Sequence, residues 1–230
     1  MFVDCATEQT TAMTDLLLSL QAIAAIWILN RSLVRRPLWT DLWTWLFGLL
    51  SAASLLGAIS HGVRMTSSVN IALWIVIYLA LGIMMALFLI AAVTMYWNPE
   101  RGKRCLPYGM VTAFAFFLIT QMWSDSFLLF VIYEAISLLL ALILYLSCFW
   151  IRREKGSGLL AAGIVVGIVA AVVDTQSTLR FTFIWEFNNH GIFHLVQMIS
   201  LLLLTMGVCS THQVSVANRS RSATTMPERP

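Results

Sequence analysis

Apolar residues in this chain run in blocks of roughly 20, separated by short polar stretches. A helix needs about that many to cross ~30 Å of hydrocarbon at ~1.5 Å per residue. Seven spans are read, near 14–30, 40–63, 70–97, 106–123, 126–150, 158–176 and 188–209. The second ends in "SAASLLGAISHG", the sixth is "LLAAGIVVGIVAAVVD" and the seventh is "HGIFHLVQMISLLLLTMGV". Each has few or no charges over its length and reads as a helix. The expected fold is therefore all-α: a seven-transmembrane helix bundle over 1–210 and a flexible cytoplasmic tail over 211–230. Proline fits this division, with Pro37 and Pro99 in loops, Pro107 in a first helical turn, and Pro227 and Pro230 in the tail.

The basic residues orient the bundle. Arg31, Arg35, Arg36, Arg101, Lys103, Arg104, Arg152, Arg153, Lys155, Arg219, Arg221 and Arg229 fall on one side, and only Arg64 and Arg180 on the other, accounting for all 14. The positive-inside rule then puts the N-terminus outside and the C-terminus in the cytoplasm. Tryptophans keep to the ends of the spans as an interfacial belt does: Trp27, Trp39, Trp43, Trp45, Trp97 and Trp150 inside, Trp74, Trp123 and Trp185 outside.

Composition changes the picture mainly by exclusion. Of 230 residues 60% are hydrophobic and 11% charged, against ~25% charged in an ordinary soluble domain. No loop approaches the ~50 residues of a small domain, so none is expected outside the bilayer. A net charge of +3, already explained by orientation, argues against nucleic-acid binding. Asp4, Glu8 and Asp15 stand where a cleaved signal peptide would be basic. Cys105, Cys148 and Cys209 come out near the cytoplasmic face and Cys5 alone outside, so no disulfide is expected.

Candidate chemistry lies in the few polar groups left inside the spans, because an ionisable group in hydrocarbon is costly. On the expected topology His61 closes the second span at the outer face, Asp174 closes the sixth there, and Glu186, Asn188, His190 and His194 open the seventh. Asn70, Gln121 and Glu134 lie in the same outer half, whereas Asp41 is at the cytoplasmic mouth of the second span. His190 and His194 are four residues apart, so their imidazoles stand on one helix face and can share one metal ion. His61 offers a third nitrogen at the same depth, and three imidazoles leave the fourth tetrahedral position to water, the arrangement of a catalytic zinc. His212, 22 residues after His190, is about 33 Å away along a helix and is excluded. Asp174 and Glu186 are the candidates for the general base. Ser60, Asn70, Glu134 and Gln197 could support the ligands, although Gln197 is equally suited to a hydrogen bond between helices. Gly163 and Gly167 form a small-xxx-small pair that reads as a close helix contact.

At these residues the chain resembles the CREST superfamily of seven-span membrane proteins, which includes alkaline ceramidases and adiponectin-type receptors. The seven spans, the histidine closing the second, His61, and "HGIFH" opening the seventh, with His190 and His194, carry the resemblance. It implies that these three histidines hold a zinc ion whose bound water attacks the amide or ester of a lipid entering from the bilayer. Two positions depart from the family. Gly57 stands one turn before His61, where the family has a serine, with Ser54 and Ser60 the nearest hydroxyls. Asn70 is the polar residue nearest to the family's aspartate early in the third span.

The first expectation is thus a zinc-dependent hydrolase of a lipid amide or ester at the outer interface, with an apolar slot for acyl chains. The second is a seven-span lipid-binding receptor or structural protein with a non-catalytic metal site, which the departures at Gly57 and Asn70 favour. A transporter ranks lower, since no spans are broken by Gly or Pro in corresponding halves. Lys103 and Lys155, the only lysines, lie in loops and exclude a retinal Schiff base. A bis-histidine haem would leave one of His190 and His194 unexplained.

Overall fold

A computed structural model of the chain describes residues 2–31, 37–122 and 126–224, and their side chains except those of 126–127 and 212–224. Arg35, Arg36, Trp123, Pro227, Arg229 and Pro230 lie outside the described residues, as do the side chains of His212, Arg219 and Arg221. Seven helices are long and apolar enough to cross a membrane. They are α1 (Ala6–Arg31), α2 (Leu38–Gly62), α3 (Ser67–Tyr96), α4 (Pro99–Met122), α5 (Ser126–Trp150), α6 (Ser157–Asp174) and α7 (Asn189–Thr224). The last continues unbroken past its apolar stretch into the sequence expected as a tail.

Packing follows chain order and then closes on itself. α1 lies against α2, α2 against α3, α3 against α4 and α5, α5 against α6, α6 against α7, and α7 returns to α1. Six helices thus make a ring, with α4 joined chiefly through α3. Inside it, Trp43 and Phe47 of α2, Tyr145 of α5, Leu160 and Ile164 of α6, and Leu201 and Val208 of α7 are fully buried. Trp43 meets Phe88 of α3 edge to face, with ring centroids 5.5 Å apart, a favoured aromatic geometry. Outward faces carry Trp27, Ile71, Leu139, Val169 and Leu202, as a helix solvated by lipid rather than water requires.

α6 and α7 approach closely where side chains are missing. A Cβ on Gly163 would sit 2.8 Å from Leu204 Cγ, and one on Gly207 would sit 2.8 Å from Leu160 Cγ. Ser200 Oγ donates to the Gly163 carbonyl at 2.8 Å across the same seam. Small residues let backbones approach in this way when lipid supplies no hydrophobic drive between helices. Gly156 precedes α6 with φ +85°, the left-handed region, and lies under the carbonyl of Gly207.

Two local readings are corrected. α4 begins at Pro99 rather than near 106, because Asn98 caps it: its Oδ1 accepts the Arg101 N–H at 2.9 Å. Pro99 is therefore the first helical residue and Pro107 is inside the helix, with "ERGKRC" forming a polar turn and a half before the apolar part. Between α6 and α7 the chain forms a short hairpin, β1 (Arg180–Thr182) and β2 (Glu186–Asn188), antiparallel with Phe181 opposite Phe187. Its position is set by α1, since Thr10 Oγ1 donates to the Glu186 carbonyl at 2.6 Å.

Two glycines should respond oppositely to alanine. Gly156→Ala combines a positive φ with a collision against α7, and is expected to cost about 1–3 kcal/mol. Gly48→Ala, within α2 and with only Ile26 Cδ1 at 4.0 Å, should gain up to about 1 kcal/mol. Thermal unfolding of the detergent-solubilised protein reads both, and a stabilised Gly156→Ala would refute the close α6–α7 seam.

Candidate functional site

The ring brings four helix ends together: the first turns of α1 and α7 and the last turns of α2 and α6. α7 starts where it does because Asn188 caps it, its Oδ1 accepting the Gly191 N–H at 2.9 Å. That places His190 in the first turn and His194 one turn later on the same face. Thr11 of α1 donates to the same Asn188 Oδ1 at 2.9 Å, and Asn189 Nδ2 donates to the Asp174 carbonyl at 2.5 Å. The cap is thus fastened to α1 on one side and α6 on the other.

Each imidazole has an oxygen at Nδ1. His61 is 2.7 Å from Glu8 Oε2, His190 is 2.6 Å from Asp174 Oδ1, and His194 is 3.0 Å from Thr14 Oγ1. The Thr14 hydroxyl has a single proton, and its oxygen also lies 2.9 Å from the Thr11 carbonyl and 3.1 Å from the Thr10 carbonyl. Carbonyls only accept, so the hydroxyl donates to the backbone and accepts the Nδ1–H of His194. With the hydroxyl donating to the backbone, the tautomer assigned to His194 carries its proton on Nδ1 and its lone pair on Nε2. On the Nε2 side, 3.3 Å away, is Oδ1 of Asp15. The rings of His61 and His190 face each other with centroids 6.2 Å apart.

A cavity of about 420 Å³ opens among these groups, within the range of small-molecule sites. His61, His190, His194, Asp15 and Asp174 line its polar end, and Leu50, Ile77, Leu81, Met84 and Phe130 line its apolar length. Glu134 and Gln197 also line it and border a smaller void of about 40 Å³. Glu134 is buried, and among the described residues nothing hydrogen-bonds to it. Gln197 Oε1 is likewise buried without a partner.

The other candidates stand elsewhere. Ser60 donates to Asn70 Oδ1 at 2.5 Å, a bond between α2 and α3, and neither residue lines the cavity. Glu186 is exposed on β2, outside the lining. Asp174 does line the cavity, but as the acceptor for His190.

Asp15 is the residue that reading by spans missed. It is 5% exposed, and a Cβ on Gly57 would fall 2.6 Å from its Oδ2, so its carboxylate occupies the place a side chain at 57 would take. The signal was present: Glu8, Thr11 and Asp15 recur at helical spacing, a polar stripe on α1 that begins before the apolar block and runs into it.

Three imidazoles oriented through Nδ1 by oxygen, together with a neighbouring carboxylate, are chemically the donor set of a zinc site. Among the described residues, however, no three His, Cys, Asp or Glu side chains stand close enough to hold one ion as they lie. The donor types, three imidazoles and a carboxylate lining one cavity, fit the metal.

The chain belongs to the family described as "Family of unknown function (DUF6962)", whose model matches residues 10–213 and so reaches from α1 to α7. No curated protein and no solved structure matches it.

Thr14→Val keeps the side-chain shape and removes the acceptor of the His194 Nδ1–H. Leaving that buried donor unpaired should cost about 1–3 kcal/mol in denaturant unfolding. Thr112→Val, on an exposed face of α4, should change stability by no more than about 0.5 kcal/mol. Equal effects of the two would remove the assigned tautomer.

Proposed function

We propose that this member of the family is a zinc-dependent intramembrane hydrolase acting on a lipid amide or ester, related to the CREST superfamily. The observation that carries the reading is that His61 of α2 and the pair His190 and His194 of α7, far apart in sequence, line one cavity whose remaining length is apolar. His61, His190 and His194 would hold the metal, which when bound supplies a water of lowered pKa and polarises the scissile carbonyl. Glu8, Asp174 and Thr14 fix the imidazoles by accepting their Nδ1–H. Asp174 is both at the cavity and at a histidine, and is the acid–base group of this reading. Leu50, Ile77, Leu81 and Met84 exclude water and receive an acyl chain. By the charge bias, the site is at the outer interface, with the N-terminus outside and the C-terminus in the cytoplasm.

A second reading, a lipid-binding receptor with a non-catalytic metal, is favoured by one observation: at Gly57 a carboxylate from α1 fills the place of the serine that the resemblance leads one to expect.

Purified wild-type protein should carry about one zinc per chain by elemental analysis, and His61→Ala, His190→Ala and His194→Ala should each lose it. Metal-free wild type, purified without chelator, would sink both readings. With zinc present, turnover on a panel of ceramides and lysolipids that falls about 10²–10⁴-fold in Asp174→Asn supports the hydrolase. No turnover on any member favours the receptor. An N-terminal tag should be cleaved by protease on intact cells and a C-terminal tag only after permeabilisation; the reverse pattern would put the site on the other face.

A further inference from the structure

We propose that Asp15 is itself a ligand of the metal, binding beside His194 in the space that Gly57 leaves open. This rests on the zinc reading above, and it gives α1 a direct share in a site otherwise built by α2 and α7.

The Thr14 hydroxyl donates to its own helix backbone, so the proton of His194 is on Nδ1 and its Nε2 presents a lone pair. A carboxylate oxygen faces it at 3.3 Å, with both residues more than nine-tenths buried. Two electron-rich atoms do not rest against each other in a dry interior unless a cation lies between them, and that cation is a proton or a metal ion.

The length and the ring nitrogen of the His194–Asp15 contact set it apart from the other two. Hydrogen bonds between nitrogen and oxygen run about 2.7–3.2 Å, and those of charged groups are shorter. The other two His–carboxylate contacts, at 2.7 Å and 2.6 Å, have this length and are made through Nδ1. The Asp15 contact is longer and is made through Nε2. Two atoms bound at about 2.0–2.1 Å to one tetrahedral zinc are separated by about 3.3–3.4 Å, the spacing found here.

Charge points the same way. Glu8, Asp15 and Asp174 converge on the three histidines, and among the described residues none of them pairs with Lys or Arg; the nearby Arg64 is taken by Asp4. Three carboxylates at the end of an apolar bundle call for positive charge, and a divalent cation supplies it at the one place where a carboxylate meets an imidazole lone pair. Gly57 makes the arrangement sterically feasible. With Oδ2 of Asp15 only 2.6 Å from where a Cβ would be, even alanine must push the carboxylate away.

The test uses the full chain in detergent, with zinc as the probe. Wild type, Asp15→Asn and Gly57→Ala are compared by zinc content, by zinc affinity in competition with a chromogenic chelator, and by the visible absorption of the cobalt(II)-substituted protein. Asp15→Asn is expected to lose more than about 100-fold in affinity, beyond the 10–100-fold range of groups that only support a ligand. Its cobalt spectrum should change in intensity and position. Gly57→Ala, which keeps the carboxylate but displaces it, should shift the spectrum in the same direction and carries the test alone if Asp15→Asn fails to fold. Zinc-bound wild type with an Asp15→Asn variant of unchanged cobalt spectrum overturns the proposal, whatever the affinity, and leaves the zinc reading standing. Metal-free wild type overturns both.

Discussion

Polar groups removed from water must satisfy one another, and in this bundle that requirement falls on the contact of α1 with α7. Thr11 meets Asn188, Thr14 meets His194, Thr10 meets the Glu186 carbonyl and Gln21 meets the Met198 carbonyl. These bonds join the first helix to the last and to the β2 strand that leads into it, and so close the ring. They also fix the start of α7, because the asparagine that caps it is the one α1 holds. Were α7 to begin a residue later, His190 and His194 would turn by about 100° and leave the cavity.

The same constraint gives the site its character. Most of the bundle buries Trp43, Phe47, Leu160 and their neighbours without any polar demand, and glycines at α6 and α7 let backbones meet where nothing else need fit. At one end the chain instead concentrates carboxylates and imidazoles in a cavity whose walls soon become apolar. Such a boundary suits a ligand with a polar head and a hydrocarbon chain, which is why the proposed substrate is a lipid. The participation of α1 turns a two-helix histidine set into a site on which all four converging helix ends depend.

Much of the fold was legible because the bilayer imposes a length. Blocks of about 20 apolar residues had to be helices, and the seven read from sequence lie within the seven observed apart from their outer edges. His61, Asp174, His190 and His194 could be grouped because alternating spans carry alternate ends to the same face. Pro107 was misplaced because the start of α4 is set by the Asn98 cap and a polar turn, neither of which alters an apolar window. The hairpin after α6 went unread because three-residue strands leave almost no periodic signal and this one is positioned by α1.

What the sequence by itself determined is the class of object: a multi-pass helical chain, the number and apolar centres of its spans, and the short roster of polar residues with no reason to be in lipid. Those follow from local composition, since burial in hydrocarbon acts on every residue of a span alike. Only the tertiary structure decided which of those polar residues meet. It sent Ser60 to Asn70 and Glu186 to the surface, and carried Asp15 into the gap at Gly57. An absent side chain in one helix is an opportunity only for whichever residue packs opposite it, and that residue, 42 positions away in the chain, is chosen by helix packing rather than by any local pattern.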